Sequence, residues 1–410
     1  MDEHSNPARH DDQSRAAARR FLRVFAWLVG ITALVVASVN LVAYRYMLRA
    51  DNQDIVQLLS GWGRMYKPIL YDELKPKVAV FGASWARDAF DPIETSRLVG
   101  RAVFNHGVSG GSDYETRRFA DAALDNPDLE AAIVNLDTFY RDEIGARTRY
   151  GFDESILEVD ADLRPNRWVG LRRAYSLALT GWAAGANLNL IKAIHARDSG
   201  VAKPDYLRSY EIANLTWHAQ EIDETRKRIF PEPGSDPIKS PGPSVDWRQM
   251  APPAELAILI DRFCDRGVDV YAYYTPSHTR NQACDLQASR EIATLEFLRR
   301  KQASCNAKIS YFDFSYPNAV TLEGVLIPVE ASEYWRPDDH PRPTVGLLMA
   351  ARMFGREFPA GTQPILTQDF GADLMSHEDA EGWLIDRSAR CEGDWSDKGY
   401  ASYVEALTEP

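Results

Sequence analysis

The sequence predicts an α/β fold: a parallel sheet covered by helices on both faces, one N-terminal transmembrane helix, and an inserted helical subdomain. Three observations predict it. Short apolar runs such as Val78-Ala79-Val80-Phe81 alternate with segments of helical spacing between residues 77 and 354, the pattern of strands buried on both faces. Residues 24–44 form an apolar run interrupted among polar groups only by Thr32, Ser38 and Asn40; about 20 such residues cross a bilayer as a helix. Residues 140–250 separate the third strand from the fourth, where α/β connections normally take about two to six residues.

The N-terminal elements follow from charge. Residues 1–23 read as a polar cytoplasmic tail and 24–44 as the anchor. Arg15, Arg19, Arg20 and Arg23 precede the apolar run, whereas Arg45 and Arg49 follow it. That excess puts the N-terminus in the cytoplasm and the rest of the chain on the periplasmic or extracytoplasmic side of the inner membrane. A signal peptide cut after Val35-Val36-Ala37 is the alternative, but the run is long for one and the polar leader unusual. Residues 45–76 form a lead-in with an amphipathic stretch near Ile55 to Tyr66.

The first part of the sheet domain occupies 77–139. Lys77–Phe81 reads as a strand. Asp91-Pro92-Ile93-Glu94 starts a helix, with Asp as N-cap, Pro in the first turn and Glu at the capping-box position. Ala102–Asn105 is the second strand, Tyr114–Leu124 a helix and Ala131–Leu136 the third strand. The insertion, 140–250, holds an apolar helical stretch from Trp168 to Ile194. Its Trp168, Trp182 and Trp217 suit that subdomain's own core, or sugar stacking. The sheet domain resumes over 251–357 with a helix at Ala254–Cys264, a strand at Val268–Tyr274, a helix at Arg290–Arg299, a strand at Ile309–Phe314 and a helix at Val345–Phe354. Residues 358–410 are a C-terminal extension.

Composition narrows the function. The chain has 410 residues, is 45% hydrophobic and carries a net charge of −12, which argues against nucleic acid as a partner. Cys264, Cys284, Cys305 and Cys391 all lie in the exported part, where disulfides persist; three pairings are open. Nothing calls for a metal or cofactor. His195, His218 and His377 have no carboxylate or cysteine partner at ligand spacing, and the glycine-rich segment 107–112 lacks the lysine of a P-loop.

Ligands of an open parallel sheet bind beyond the carboxyl ends of its strands. Ser84 follows the first strand, Ser109-Gly110-Gly111-Ser112 the second, Asn135 and Asp137 end the third, Ser277-His278 follows the fourth, and Asp338-Asp339-His340 follows the fifth. A serine hydroxyl becomes a nucleophile when a histidine takes its proton and a carboxylate orients that histidine. Ser84, His340 and Asp338 suit those roles; Asp339, adjacent to the histidine, is the second choice of carboxylate. The amides of Ser84 and Gly110 are the expected oxyanion donors. Arg87 and His278 are candidate substrate contacts.

These segments resemble the SGNH (GDSL-like) hydrolase family, on Gly82-Ala83-Ser84, Asn105-His106-Gly107-Val108-Ser109-Gly110-Gly111, Asn135-Leu136-Asp137-Thr138 and Pro337-Asp338-Asp339-His340. The likeness runs from about Val78 to Phe354 without the insertion. It implies a flavodoxin-like three-layer fold and acyl transfer or ester hydrolysis through Ser84, His340 and Asp338. Asp137 stands where the family places an Asn that donates to the oxyanion. The membrane-anchored branch, similar to proteins of polysaccharide O-acetylation and teichoic-acid D-alanylation, implies a polysaccharide substrate and a membrane-bound O-acyltransferase partner. A non-catalytic partner of such an acyltransferase, or of an export complex, is the competing expectation.

Overall fold

The computed structural model of the chain describes residues 7–47, 63–140, 148–149, 151–179, 187, 191, 195, 198–199, 251–276, 284–315, 320, 334–335, 340–360 and 370–385. Helix α1, Pro7–Met47, spans about 60 Å. It is long and apolar enough to cross a membrane, and Phe21, Trp27, Leu34 and Val42 point away from the protein. Helix α2, Gly63–Leu74, takes in the end of the amphipathic stretch expected near Ile55 to Tyr66, whose residues 55–62 lie outside the described residues, and it packs on the sheet domain.

Strand β1, Val78–Phe81, runs through Gly82 and Ala83 into the short helix α3, Ser84–Ala89. Helix α4, Pro92–Val99, starts as its sequence predicts: the Asp91 carboxylate accepts from the Ile93 and Glu94 amides, a cap that contributes about 1 kcal/mol. Strand β2, Val103–Asn105, leads to α5, Asp113–Ala123, whose Ser112 and Glu115 close a full capping box. Strand β3, Ala131–Asn135, ends in a tight turn over Leu136–Phe139. Within the insertion lies α6, Val169–Leu179. Then come α7, Ala254–Arg266, β4, Asp269–Tyr274, α8, Cys284–Gln302, β5, Ile309–Asp313, α9, Pro343–Met353, and β6, Ala372–Asp373.

The sheet order is β2-β1-β3-β4-β5-β6. The first five strands are parallel and β6 pairs antiparallel with β5. The chain leaves β1 toward β2 and returns to β3 on the other side of β1. The winding therefore reverses between β1 and β3, and a ligand crevice opens at the carboxyl ends of strands at such a point.

Because β1, β3 and β5 are buried along their whole length, their side chains must serve two cores. Ala79, Phe81, Val134, Ala272 and Tyr311 face α2, α5, α7 and α8. Val78, Val80, Ile133, Tyr273 and Phe314 face α3, α4 and α9. A disulfide joins Cys264 of α7 to Cys305 after α8; Cys391 lies outside the described residues.

The structure departs from expectation in several places. Strand β6 was not anticipated, because two residues carry no periodicity; it forms where Asp373 accepts from the Met375 and Tyr311 amides. The described part of the insertion is not a separate core, since Ile156 and Leu157 are buried with α2, α5 and α7. Trp168, expected inside, is 68% exposed. The reason is that α6 buries none of its residues. Trp182 and Trp217 lie outside the described residues.

Candidate functional site

The geometry of the site begins with the turn after β1. Ser84 is the first residue of α3, so its amide precedes the first intrahelical hydrogen bond, which Arg87 N–H makes to Ala83 O at 3.1 Å. The Ser84 side chain is half-buried at the carboxyl edge of the sheet. His340 Nε2 lies 2.9 Å from Ser84 Oγ. The ring of Trp85 meets that of His340 edge-on, with centroids 6.5 Å apart.

Residues far apart in sequence meet here because α9 rests on α3. A Cβ on Gly346 would lie 1.8 Å from the Ala89 carbonyl oxygen, so only glycine lets the two backbones approach this closely. Ahead of α9, Trp335 and Pro341 form an isolated antiparallel bridge. Arg342 locks it: its amide donates to Tyr334 O at 2.8 Å and its Nε to Trp335 O at 2.8 Å. His340 is thereby held beside its bridge. Asp338, Asp339 and His278 lie outside the described residues.

Underneath, Asn105 ties α3 to the glycine-rich segment. Its Nδ2 is within 2.7–3.0 Å of the Ala86, Arg87 and Phe90 carbonyl oxygens, and its Oδ1 accepts from Gly107 N–H at 2.8 Å. One buried amide thus gathers the carbonyls at the end of α3, where the Ala86 oxygen also accepts from Phe90 N–H at 3.3 Å. Gly107 is required by the same contact, since a Cβ there would lie 2.4 Å from Arg87 N. Gly110 is exposed and lies at φ +56°.

The 107–112 segment is pinned from below by basic side chains. Arg64 of α2 donates to Ser109 O at 2.9 Å and pairs with the fully buried Glu115 at 2.8 Å. Lys67 Nζ donates to Gly107 O. Burial holds the Lys67 ammonium well below its usual pKa, and Arg87 and Arg64 add to the effect. Arg87, expected to face substrate, is 4% exposed. Its guanidinium pairs with Asp88 at 2.6 Å and reaches Ser109 Oγ. It belongs to the supports of the segment because α3 turns it inward.

At the end of β3 the candidate Asp137 is an acceptor. Its Oδ2 receives Asn135 Nδ2 and the Thr275 amide, each at 2.9 Å. Asn135 Nδ2 also donates to Thr275 Oγ1 at 2.6 Å, while its Oδ1 accepts from Thr138 Oγ1 at 3.0 Å. Thr138 Oγ1 in turn accepts from Ala83 N–H at 3.0 Å. These bonds knot together the carboxyl ends of β1, β3 and β4 next to Ser84.

Reading the sequence missed Arg64, Lys67, Glu115 and Trp85. The Ser112-x-x-Glu115 spacing was a visible signal for Glu115. Arg64 and Lys67 offered none, because they stand in the lead-in and act only through tertiary contact. A cavity of about 790 Å³ lies elsewhere, at the amino end of the sheet, lined by Arg101, Tyr271, Arg352, Phe354 and Trp383. It includes neither Ser84 nor His340, which lie instead at the carboxyl edge of the sheet, where open α/β folds bind ligands. Among known proteins, no family model and no curated protein matches this chain.

Proposed function

We propose that the chain is a membrane-anchored, extracytoplasmic SGNH-type acyltransferase or esterase. It acts on O-acyl groups, acetyl in the first instance, of a cell-surface polysaccharide. The observation that carries this reading is the 2.9 Å approach of His340 Nε2 to Ser84 Oγ at the switch point of a doubly wound sheet.

In this mechanism Ser84 Oγ attacks the acyl carbonyl as His340 takes its proton. The oxyanion is met by the Ser84 amide and the Gly110 backbone. Collapse of the tetrahedral intermediate expels the alcohol, protonated by His340, and leaves an acyl ester on Ser84. A sugar hydroxyl or water then attacks that ester with His340 again as base. Asp338, with Asp339 as the second choice, orients the imidazole. Asp137, the other oxyanion-hole candidate, fixes through its Oδ2 the strand ends that hold the turn of Ser84. His278 contacts the substrate. A membrane-bound O-acyltransferase is the partner that would deliver the acyl group across the inner membrane, and α1 is the anchor, with its N-terminus cytoplasmic.

A fluorophosphonate probe tests the chemistry on the folded full-length protein. Labelling is expected on Ser84, and Ser84→Ala and His340→Ala are expected to lower ester turnover by on the order of 10⁴-fold or more. A folded protein that takes no label, with biological function unaffected by Ser84→Ala, would instead mark a non-catalytic partner of the acyltransferase or of an export complex.

A further inference from the structure

Helix α6 has no buried residue, yet it is not a polar helix. Trp168, at its entry, and Leu171, Tyr175 and Leu179 are exposed by 68, 65, 56 and 48%. Their spacing of three and four places them on one face. An isolated exposed leucine needs no explanation, but an apolar stripe along a whole helix does.

The other side of α6 lies against α1. Asn40 Nδ2 donates to Ala178 O at 3.0 Å, Asn187 Nδ2 donates to Asn40 Oδ1 at 2.9 Å, and Tyr66 OH donates to Asn187 Oδ1 at 2.9 Å. Asn40 is 1% and Asn187 3% exposed. Asn40 sits inside the apolar run of α1, four residues before Tyr44, about 6 Å along the axis. A carboxamide at hydrocarbon depth must find internal partners, and here the insertion provides them. Arg173, five residues before Ala178, is held on the sheet-domain side by Glu158 and by Asp72 of α2. Helix α6 therefore runs antiparallel to α1, from the sheet domain toward the middle of the apolar run.

The start of α6 is fixed to the sheet domain. Arg173 donates to Ile156 O at 2.8 Å, pairs with Glu158 at 2.6 Å, and pairs with Asp72 of α2. Arg167 and Arg172 are exposed near Trp168. Arginine and tryptophan at one end, with apolar residues further along, is the order of groups met on passing from headgroups into hydrocarbon.

We infer that the outward face of α6 is embedded in the bilayer leaflet next to the sheet domain, as a second lipid-contacting element paired with α1 through Asn40 and Asn187. The occupant of the apolar stripe is acyl-chain hydrocarbon, and anionic headgroups meet Arg167 and Arg172. The stripe continues the lipid-facing surface of α1 at Val39, Leu41 and Val42, which are exposed by 59, 56 and 70%. The consequence for the proposed reaction is positional. With two elements in the membrane, the sheet domain cannot swing about a single flexible anchor, so the Ser84 site meets substrate at a fixed height above the lipid. This inference rests on the reading of α1 as a membrane span.

The test uses the full chain reconstituted in phosphatidylethanolamine and phosphatidylglycerol vesicles that contain a phospholipid with a diazirine in its acyl chain. After photolysis, lipid adducts are mapped by peptide mass spectrometry. Adducts are expected on the peptide spanning 24–44 and on the peptide spanning 168–179. The double variant Leu171→Asp, Tyr175→Asp should lose the second set roughly tenfold while keeping the first, since each acidic residue opposes insertion. Adducts on 24–44 with none on 168–179 would overturn the inference and leave the anchor standing. So would a stripe covered by a second copy of the chain, seen as a cross-link between copies through 168–179. Adducts on neither peptide would remove the membrane span itself, and the inference with it.

Discussion

His106 lies one residue beyond β2, and the rings of Tyr71, Phe81, Phe104 and Phe119 stand 4.7–5.7 Å from its own. Neither ring nitrogen has a hydrogen-bond partner among the described residues. Burial, with Lys67 adding to it, holds the ring's pKa well below 6.5. The folded protein thus keeps His106 neutral where the unfolded chain would protonate it. Stability rises with pH wherever the unfolded state binds more protons. This residue's contribution is therefore complete above the ordinary histidine pKa and is lost as pH falls below it, by up to about 1.4 kcal/mol per unit. His106→Phe should flatten the decline in stability between pH 6.5 and 5, measured by urea unfolding at each pH; an unchanged slope would place the acid sensitivity elsewhere. Sequence exposed His106 as a histidine near the site, but its surroundings are a property of packing: the four rings come from different elements.

At the scale of elements, the decisive contact is α9 on α3. The pairing of Ser84 with His340 depends on a helix whose start follows the histidine closely, and that helix is seated by the bare backbone of Gly346 against Ala89. Gly346→Val should cost about 1–3 kcal/mol through overpacking and lower the proposed ester turnover about a hundredfold, the loss expected when a reacting group is displaced by an ångström. Turnover close to wild type in that variant would show that the His340 segment finds its place without α9. Beneath the same turn, Asn105 and the basic side chains Arg64, Lys67 and Arg87 hold the 107–112 segment to α3. Strands and helices were legible because period and caps are local: α4 is capped by Asp91 as its sequence requires, and β1, β3 and β5 read as apolar runs. Helix α3 and strand β6 were not, being too short to show a period.

Across the whole molecule, the disulfide found among the described residues and the insertion bear on rigidity. The disulfide closes a segment of 41 residues, for which loop entropy in the unfolded chain corresponds to about 4 kcal/mol. The double variant Cys264→Ser, Cys305→Ser should lose up to that amount of unfolding free energy, read by thermal denaturation. The loss belongs to the helical layer formed by α7 and α8, so labelling of Ser84 at low temperature should survive it. The insertion acts in the opposite direction along the chain. Ile156 and Leu157 tie it into the main core, while α6 ties it to α1.

By itself the sequence determined the alternating α/β fold, the long apolar N-terminal helix and the chemical kinds at one sheet edge, because each is written in local pattern and residue type. Tertiary structure decided which of those kinds face each other. It set His340 against Ser84, turned Arg87 inward, and made Asp137 an acceptor that binds strand ends. It also laid α6 along α1, with its apolar side outward. The physical reason is range. Periodicity and capping are settled within a few residues, whereas burial, the approach of two backbones at a glycine and the pairing of distant polar groups exist only once the sheet has brought separate segments together.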